Sequence, residues 1–127
     1  MLLFSLNVRG IGGTLKAASF RRLMEQTKPE IVFLQETVAP APKARDFFLC
    51  FRPSWATCSV NSVGTSVGLL VAWDPSLFEL TPFISMRGIL LTGNNILDKQ
   101  ELSLLNVYEP CTTRKSFWNI VKIVAFC

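Results

Sequence analysis

The stretch Ile31-Val32-Phe33-Leu34-Gln35-Glu36-Thr37 sets four apolar residues in a row and then ends on an amide, a carboxylate and a hydroxyl. An unbroken apolar run of this length reads as a strand buried on both faces. Its ending is unusual, because a buried strand commonly gives way to Gly, Asn or Asp, and Gln-Glu-Thr is poor turn chemistry. The C-terminal ends of strands in an open α/β sheet line the crevice where ligands sit. Glu36 is therefore either a ligand-facing carboxylate or a glutamate that only points into water.

Upstream, the apolar run 2–6 stops at Asn7-Val8-Arg9-Gly10, and Gly12 and Gly13 follow closely. This reads as a short buried strand and a turn. Thr14 is then the expected N-cap of a helix in which Leu15, Ala18, Phe20, Leu23 and Met24 recur at helical spacing, and Lys28-Pro29 closes it. The first third is thus strand, helix, strand, a unit that joins parallel neighbours by a crossover. Its consequence is positional, for Asn7 and Glu36 both fall at C-terminal strand ends on one edge of the sheet.

Downstream, residues 39–45 are rich in Ala, Pro and basic side chains and read as an exposed loop. A β-meander is expected beyond it, with strands near 51–59, 67–73, 78–84, 89–92 and 101–108, separated by Asn-, Gly- and Pro-containing turns. In the last segment, 114–124, Phe117, Trp118, Val121 and Val124 lie at helical spacing.

The 127 residues suffice for one core, and 50% of them are hydrophobic. With a mean hydropathy of +0.36, the chain is expected to pack rather than to remain disordered. A net charge of +4 and a pI near 9.1 favour an anionic partner, although Lys16, Arg21, Arg22 and Lys28 form no dedicated basic stripe. No apolar run approaches the ~18 residues that span a bilayer, and the opening run is too short for a signal peptide. An intracellular chain, nuclear or cytoplasmic, is the expectation. Cys50, Cys58, Cys111 and Cys127 form no C-x-x-C pair, and there is no histidine, so a zinc site has little to build on.

Four segments then occur in order: 5–10 (SLNVRG), 31–37 (IVFLQET), 64–73 (GTSVGLLVAW) and 106–110 (NVYEP). Together they resemble the amino-terminal half of the endonuclease/exonuclease/phosphatase family, which includes apurinic/apyrimidinic endonucleases and deoxyribonuclease I-like enzymes. The wording is most similar to endonuclease domains of plant non-LTR (LINE-type) retrotransposons. The resemblance makes residues 1–127 the N-terminal part of such a domain. It implies an α/β (α+β) fold, a truncated half of a four-layer α/β sandwich of two facing sheets. It further implies a Mg²⁺-dependent phosphodiester hydrolase acting on DNA, with Mn²⁺ as a possible substitute. Carried onto this sequence, Glu36 is the metal ligand, Asn7 helps to hold the metal and the phosphate, and Tyr108 contacts the scissile phosphate. Arg9 and Lys16, as basic residues near these strand ends, are the candidate nucleic-acid-binding residues. The alternatives are a turn asparagine, a solvated glutamate and a half-buried strand tyrosine.

Family members also carry a later Gly-Asp-Phe-Asn-like segment, which orients the attacking water, and a terminal Asp-His pair. Neither occurs here, and the aspartates Asp46, Asp74 and Asp98 fall in a predicted loop and two predicted turns. The expectation is a chain without activity alone, whose end at Cys127 is a truncation. Two other readings stay open: a non-catalytic remnant that holds nucleic acid through Arg9, Lys16, Arg21 and Arg22, and a relative acting on another phosphodiester such as a phosphoinositide. A half-sandwich should also leave an inner sheet face without cover, so self-association through that face is expected.

Overall fold

A computed structural model describes residues 1–61, 68–85 and 88–107. Its elements are β1 (Leu3–Asn7), α1 (Thr14–Thr27), β2 (Ile31–Gln35), α2 (Ala41–Leu49), β3 (Ala56–Val60), β4 (Leu69–Trp73), β5 (Phe78–Ser85), β6 (Gly88–Asn95) and β7 (Glu101–Val107). Four strands form one sheet in the order β1-β2-β4-β3, and three form a second in the order β5-β6-β7. The strand–helix–strand opening is as the sequence predicts, with β1 and β2 parallel and Asn7 opposite Gln35.

Side-chain alternation divides the core in two. Val32 and Leu34 of β2, with Phe4, Leu6, Leu70 and Ala72, face Phe20, Met24, Ala44 and Phe48 of the helices. On the other face Ile31 and Phe33, with Leu3, Leu69, Val71 and Trp73, meet Phe78, Ile89, Leu91, Leu102 and Leu104 of the second sheet. The described layers are therefore helices, sheet, sheet. Because β2 and β4 are buried on both faces, β4 is apolar throughout and β2 is apolar from Ile31 to Leu34, without alternation.

Several expectations are corrected. The strands after residue 51 build parts of two sheets rather than one meander, because β3 and β4 return to β2 before the chain crosses to β5. The inner sheet face is consequently not bare, since both facing sheets come from this chain and Leu102 and Leu104 are buried between them. The self-association argued from a bare inner face loses that basis. Residues 39–45 are not a loop, because α2 begins at Ala41. Pro40 and Pro42 carry a loop signal in the sequence but sit at the start of α2. Proline is at home at a helix start, and Ala44 and Phe48 supply the buried i, i+4 face. Asp46 therefore lies on a helix, where it pairs with Arg45 at 3.2 Å. The next strand starts only at Ala56, because the backbone around Phe51 and Arg52 turns back onto the Phe48 carbonyl.

Thr14 opens α1 but does not cap it; the N-cap is Gly13, at φ 95, with no side-chain cap bond. Leu15 and Ala18 face solvent, and Leu15 is 85% exposed. At about 100° per residue they point roughly 140–160° away from Phe20, whereas Ala17, Leu23 and Met24 flank it. Cys50 and Cys58 are free thiols, and burial pushes the Cys58 thiol up from its ordinary value. Cys111, Cys127 and the helix expected over 114–124 lie outside the described residues. No helix among the described residues is long and apolar enough to cross a membrane.

The facing of β7 can be tested with neighbouring leucines. Leu104 is 1% exposed and Leu105 46% exposed. Leu104→Ala should cost about 2–5 kcal/mol in urea unfolding. Leu105→Ala should cost less than about 1 kcal/mol. Equal losses would show that the sheets do not pack through this face.

Candidate functional site

Parallel pairing of β1 and β2 brings their C-terminal ends together, and the pairing continues beyond both strands. Val8 donates its backbone N–H to the Gln35 carbonyl (3.0 Å), Gly10 to that of Glu36 (2.6 Å) and Ile11 to that of Thr37 (3.2 Å). Thr37 in turn donates to the Gly68 carbonyl at the entry to β4 (3.3 Å). The two loops are thus laced together at the sheet's edge.

The backbone here is unusual. Arg9 (φ 49), Glu36 (φ 54) and Val38 (φ 50) are all left-handed, and Gly10 (φ 92) lies between them across the loop pair. A non-glycine residue in this region costs about 1–2 kcal/mol. Three of the five described non-glycine residues with positive φ gather around one point. Clustering of this kind is a feature of functional sites. For Glu36 the consequence is direct, because the left-handed turn after Gln35 breaks the strand's alternation and sets the direction of its side chain.

Asn7 meets that side chain. Its Nδ2 donates to Glu36 Oε2, and its Oδ1 accepts from the Arg9 backbone N–H at 3.3 Å. Lys16 reaches back from the first turn of α1, and its Nζ donates to the carbonyls of Val8 (2.6 Å) and Arg9 (3.1 Å). The Lys16 ammonium is thereby held over the β1–α1 loop. Arg21 lies elsewhere, over the Phe51 ring at 5.0 Å. Asp74 and Asp98 also stand apart. Asp74 binds Ser76 in a turn and donates its N–H to Glu30, at the opposite end of β2, about 20 Å from Glu36 at strand rise. Asp98 accepts from the Gln100 N–H in the β6–β7 hairpin. Tyr108 lies outside the described residues.

The structure thus brings Asn7, Glu36, Arg9 and Lys16 together. It adds residues that the sequence reading did not single out. Gln35 donates through Nε2 to Ser5 Oγ and to Asn106 Oδ1, both at 2.8 Å. Asn106 donates through Nδ2 to the carbonyls of Leu34 (3.2 Å) and Leu70 (3.0 Å). Period-2 alternation contained the signal, since Leu102, Leu104 and Asn106 share a face and the third of them is polar.

Among the described residues no three of His, Cys, Asp and Glu cluster, which excludes a preformed multi-carboxylate cage there. One half-buried carboxylate with a neighbouring amide is still a hard-oxygen set. It fits a magnesium ion that keeps most of its waters. It does not fit a soft, thiolate-seeking metal.

The three described layers have the AP endonuclease-like fold of the deoxyribonuclease I type. In particular, the chain is similar to the AP endonuclease LMAP from Leishmania major, with a TM-score of 0.60 and 21% identity over 84% of this chain. The chain spans 39% of the length of that endonuclease. No protein-family profile and no curated protein matches the chain.

The left-handed cluster yields a measurable contrast. Val38 is β-branched, left-handed and 58% exposed, so its side chain contributes little packing to offset the backbone cost. Val38→Gly should stabilise the fold by about 1 kcal/mol. Val32→Gly, in the fully buried centre of β2, should destabilise it by several times that. A Val38→Gly variant that unfolds at lower urea than the parent would contradict the strain.

Proposed function

We propose that this chain is the metal-holding part of a magnesium-dependent endonuclease domain of the retrotransposon (LINE) type, directed at DNA and inactive alone. The observation that carries the reading is the contact between Asn7 and Glu36, from adjacent strand ends, beside the Lys16 ammonium held on the Val8 and Arg9 carbonyls. The resemblance of the four ordered segments supplies the retrotransposon type. The fold shared with LMAP is consistent with a nuclease-like role.

In this mechanism Glu36 would hold the cation by its carboxylate. Asn7 donates to that carboxylate and restrains its rotamer, and its amide would help to position the metal or a phosphate oxygen. When bound, Mg²⁺ supplies electrostatic stabilisation of the charge that develops on the phosphodiester oxygens. Lys16 keeps the β1–α1 loop in place while lending it charge, and Arg9, in the same loop, is a second basic residue. Both would attract a nucleic-acid backbone in a salt-dependent way. The Tyr108 phenol is suited to donate to a phosphate oxygen. The nucleophile is what the chain does not provide for. It has no histidine, Asp74 and Asp98 are engaged in turns away from Glu36, and Asp46 lies on α2 paired with Arg45. Groups that move protons typically contribute ~10²–10⁴-fold each.

Purified protein is therefore expected not to nick supercoiled or abasic plasmid in Mg²⁺ or Mn²⁺ above the level of Glu36→Gln. Under Mn²⁺ titration, NMR signals of Asn7 and Glu36 should broaden first, and Glu36→Gln should abolish the effect. Broadening that begins at Asp74 or Asp98 would remove the site assignment. Cleavage that is lost in Glu36→Gln would remove the inactivity.

A further inference from the structure

We propose that Asn106 is the positioning residue of this site, acting on Glu36 through the end of β2. The inward positions of β7 run Leu102, Leu104, Asn106, and the first two fill the core between the sheets. The third is an amide that is only 1% exposed. Its two donated hydrogen bonds go to the carbonyls of Leu34 and Leu70, which are register partners across β2 and β4. Its oxygen takes the Gln35 side chain, which also holds Ser5 of β1. One side chain of the second sheet thus grips the last two residues of β2 and Leu70 of β4 directly, and Ser5 of β1 through Gln35.

The next residue is Glu36, where the chain turns left-handed. The direction of the carboxylate depends on where β2 stops and how Gln35 is oriented. Asn7 holds the carboxylate from the front, and Asn106 holds the backbone that carries it from behind. Among the described residues no other polar side chain bridges the two sheets at this end with comparable burial. The packing of the second sheet is in this way converted into the geometry of a site on the first.

The metal readout of this proposal rests on the reading of Glu36 as a cation ligand; the amide readout does not. The experiment compares the wild type, Asn106→Leu, Leu104→Ala and Glu36→Gln by amide hydrogen exchange and by Mn²⁺ titration. In Asn106→Leu, the N–H groups of Val8 and Gly10, bonded to Gln35 and Glu36, should lose about tenfold or more of their protection. Those of Glu30 and Asp74, at the far end of β2, should keep theirs. Mn²⁺ affinity at Glu36 should fall about tenfold. Leu104→Ala, which weakens the same strand through packing alone, should change neither quantity selectively. Protection lost uniformly along the strand pair, or lost equally at Val8 and Gly10 in Leu104→Ala, would reduce Asn106 to a packing residue and overturn the proposal. If Asn106→Leu does not fold, Gln35→Met cuts the same connection from β2 and is read on the same amides. Glu36→Gln that leaves Mn²⁺ binding intact would sink the metal reading, and the exchange of Val8 and Gly10 would still decide the role of Asn106.

Discussion

Burial of β2 on both faces is the constraint on which the rest of the molecule depends. Ile31 and Phe33 are fully enclosed against the second sheet, and Val32 and Leu34 against the helices. Each such side chain contributes about 1.5–3 kcal/mol on burial. A one-residue slip would exchange the two sets and misfit both cores at once. Register is therefore fixed along the strand, and with it the residue at which the apolar run ends. A carboxylate placed just past that end inherits the positional certainty of the core.

That certainty is used where the backbone departs from regular geometry. Arg9, Glu36 and Val38 hold left-handed conformations that an isolated loop would abandon, and the lacing of 8–11 to 35–37 by backbone hydrogen bonds holds them. Lys16 adds two further bonds to the same loop. The strain is thus confined to a few residues at the sheet's edge while the layers beneath remain regular, which is the arrangement expected of a preorganised site.

The sequence carried the opening strand–helix–strand unit and the meeting of Asn7 with Glu36, because both follow from local periodicity and a crossover that leaves little topological choice. It did not carry α2, because Pro40 and Pro42 read as loop signals although proline also begins helices. The division of the later strands between two sheets was also hidden. Strand patterns record which face is apolar and not which sheet the strand joins. The site was legible to the extent that polar residues ended apolar runs, as Asn7 and Glu36 do. Asn106 ends a run as well, but what separates it from an ordinary strand-end amide is its set of cross-sheet bonds, which are tertiary and leave no local signal.

The placement of Asn106 is itself an argument about what this end of the core is for. A strand whose inward positions are Leu102 and Leu104 would gain stability most simply from a third aliphatic residue. Burial of an amide is tolerable only when its hydrogen-bonding capacity is met, and Asn106 meets it with two carbonyls and the Gln35 amide. An aliphatic side chain would fill the volume but leave Gln35 without its cross-sheet acceptor and give the sheets freedom to slide at that end. Apolar contacts resist separation of two layers far better than they resist small shifts between them, because they have no preferred direction. Hydrogen bonds do have one. The role proposed for Glu36 would need a carboxylate held to within about 0.5 Å, and a directional polar link between the layers at the last residues of β2 meets that need where further hydrophobic burial would not.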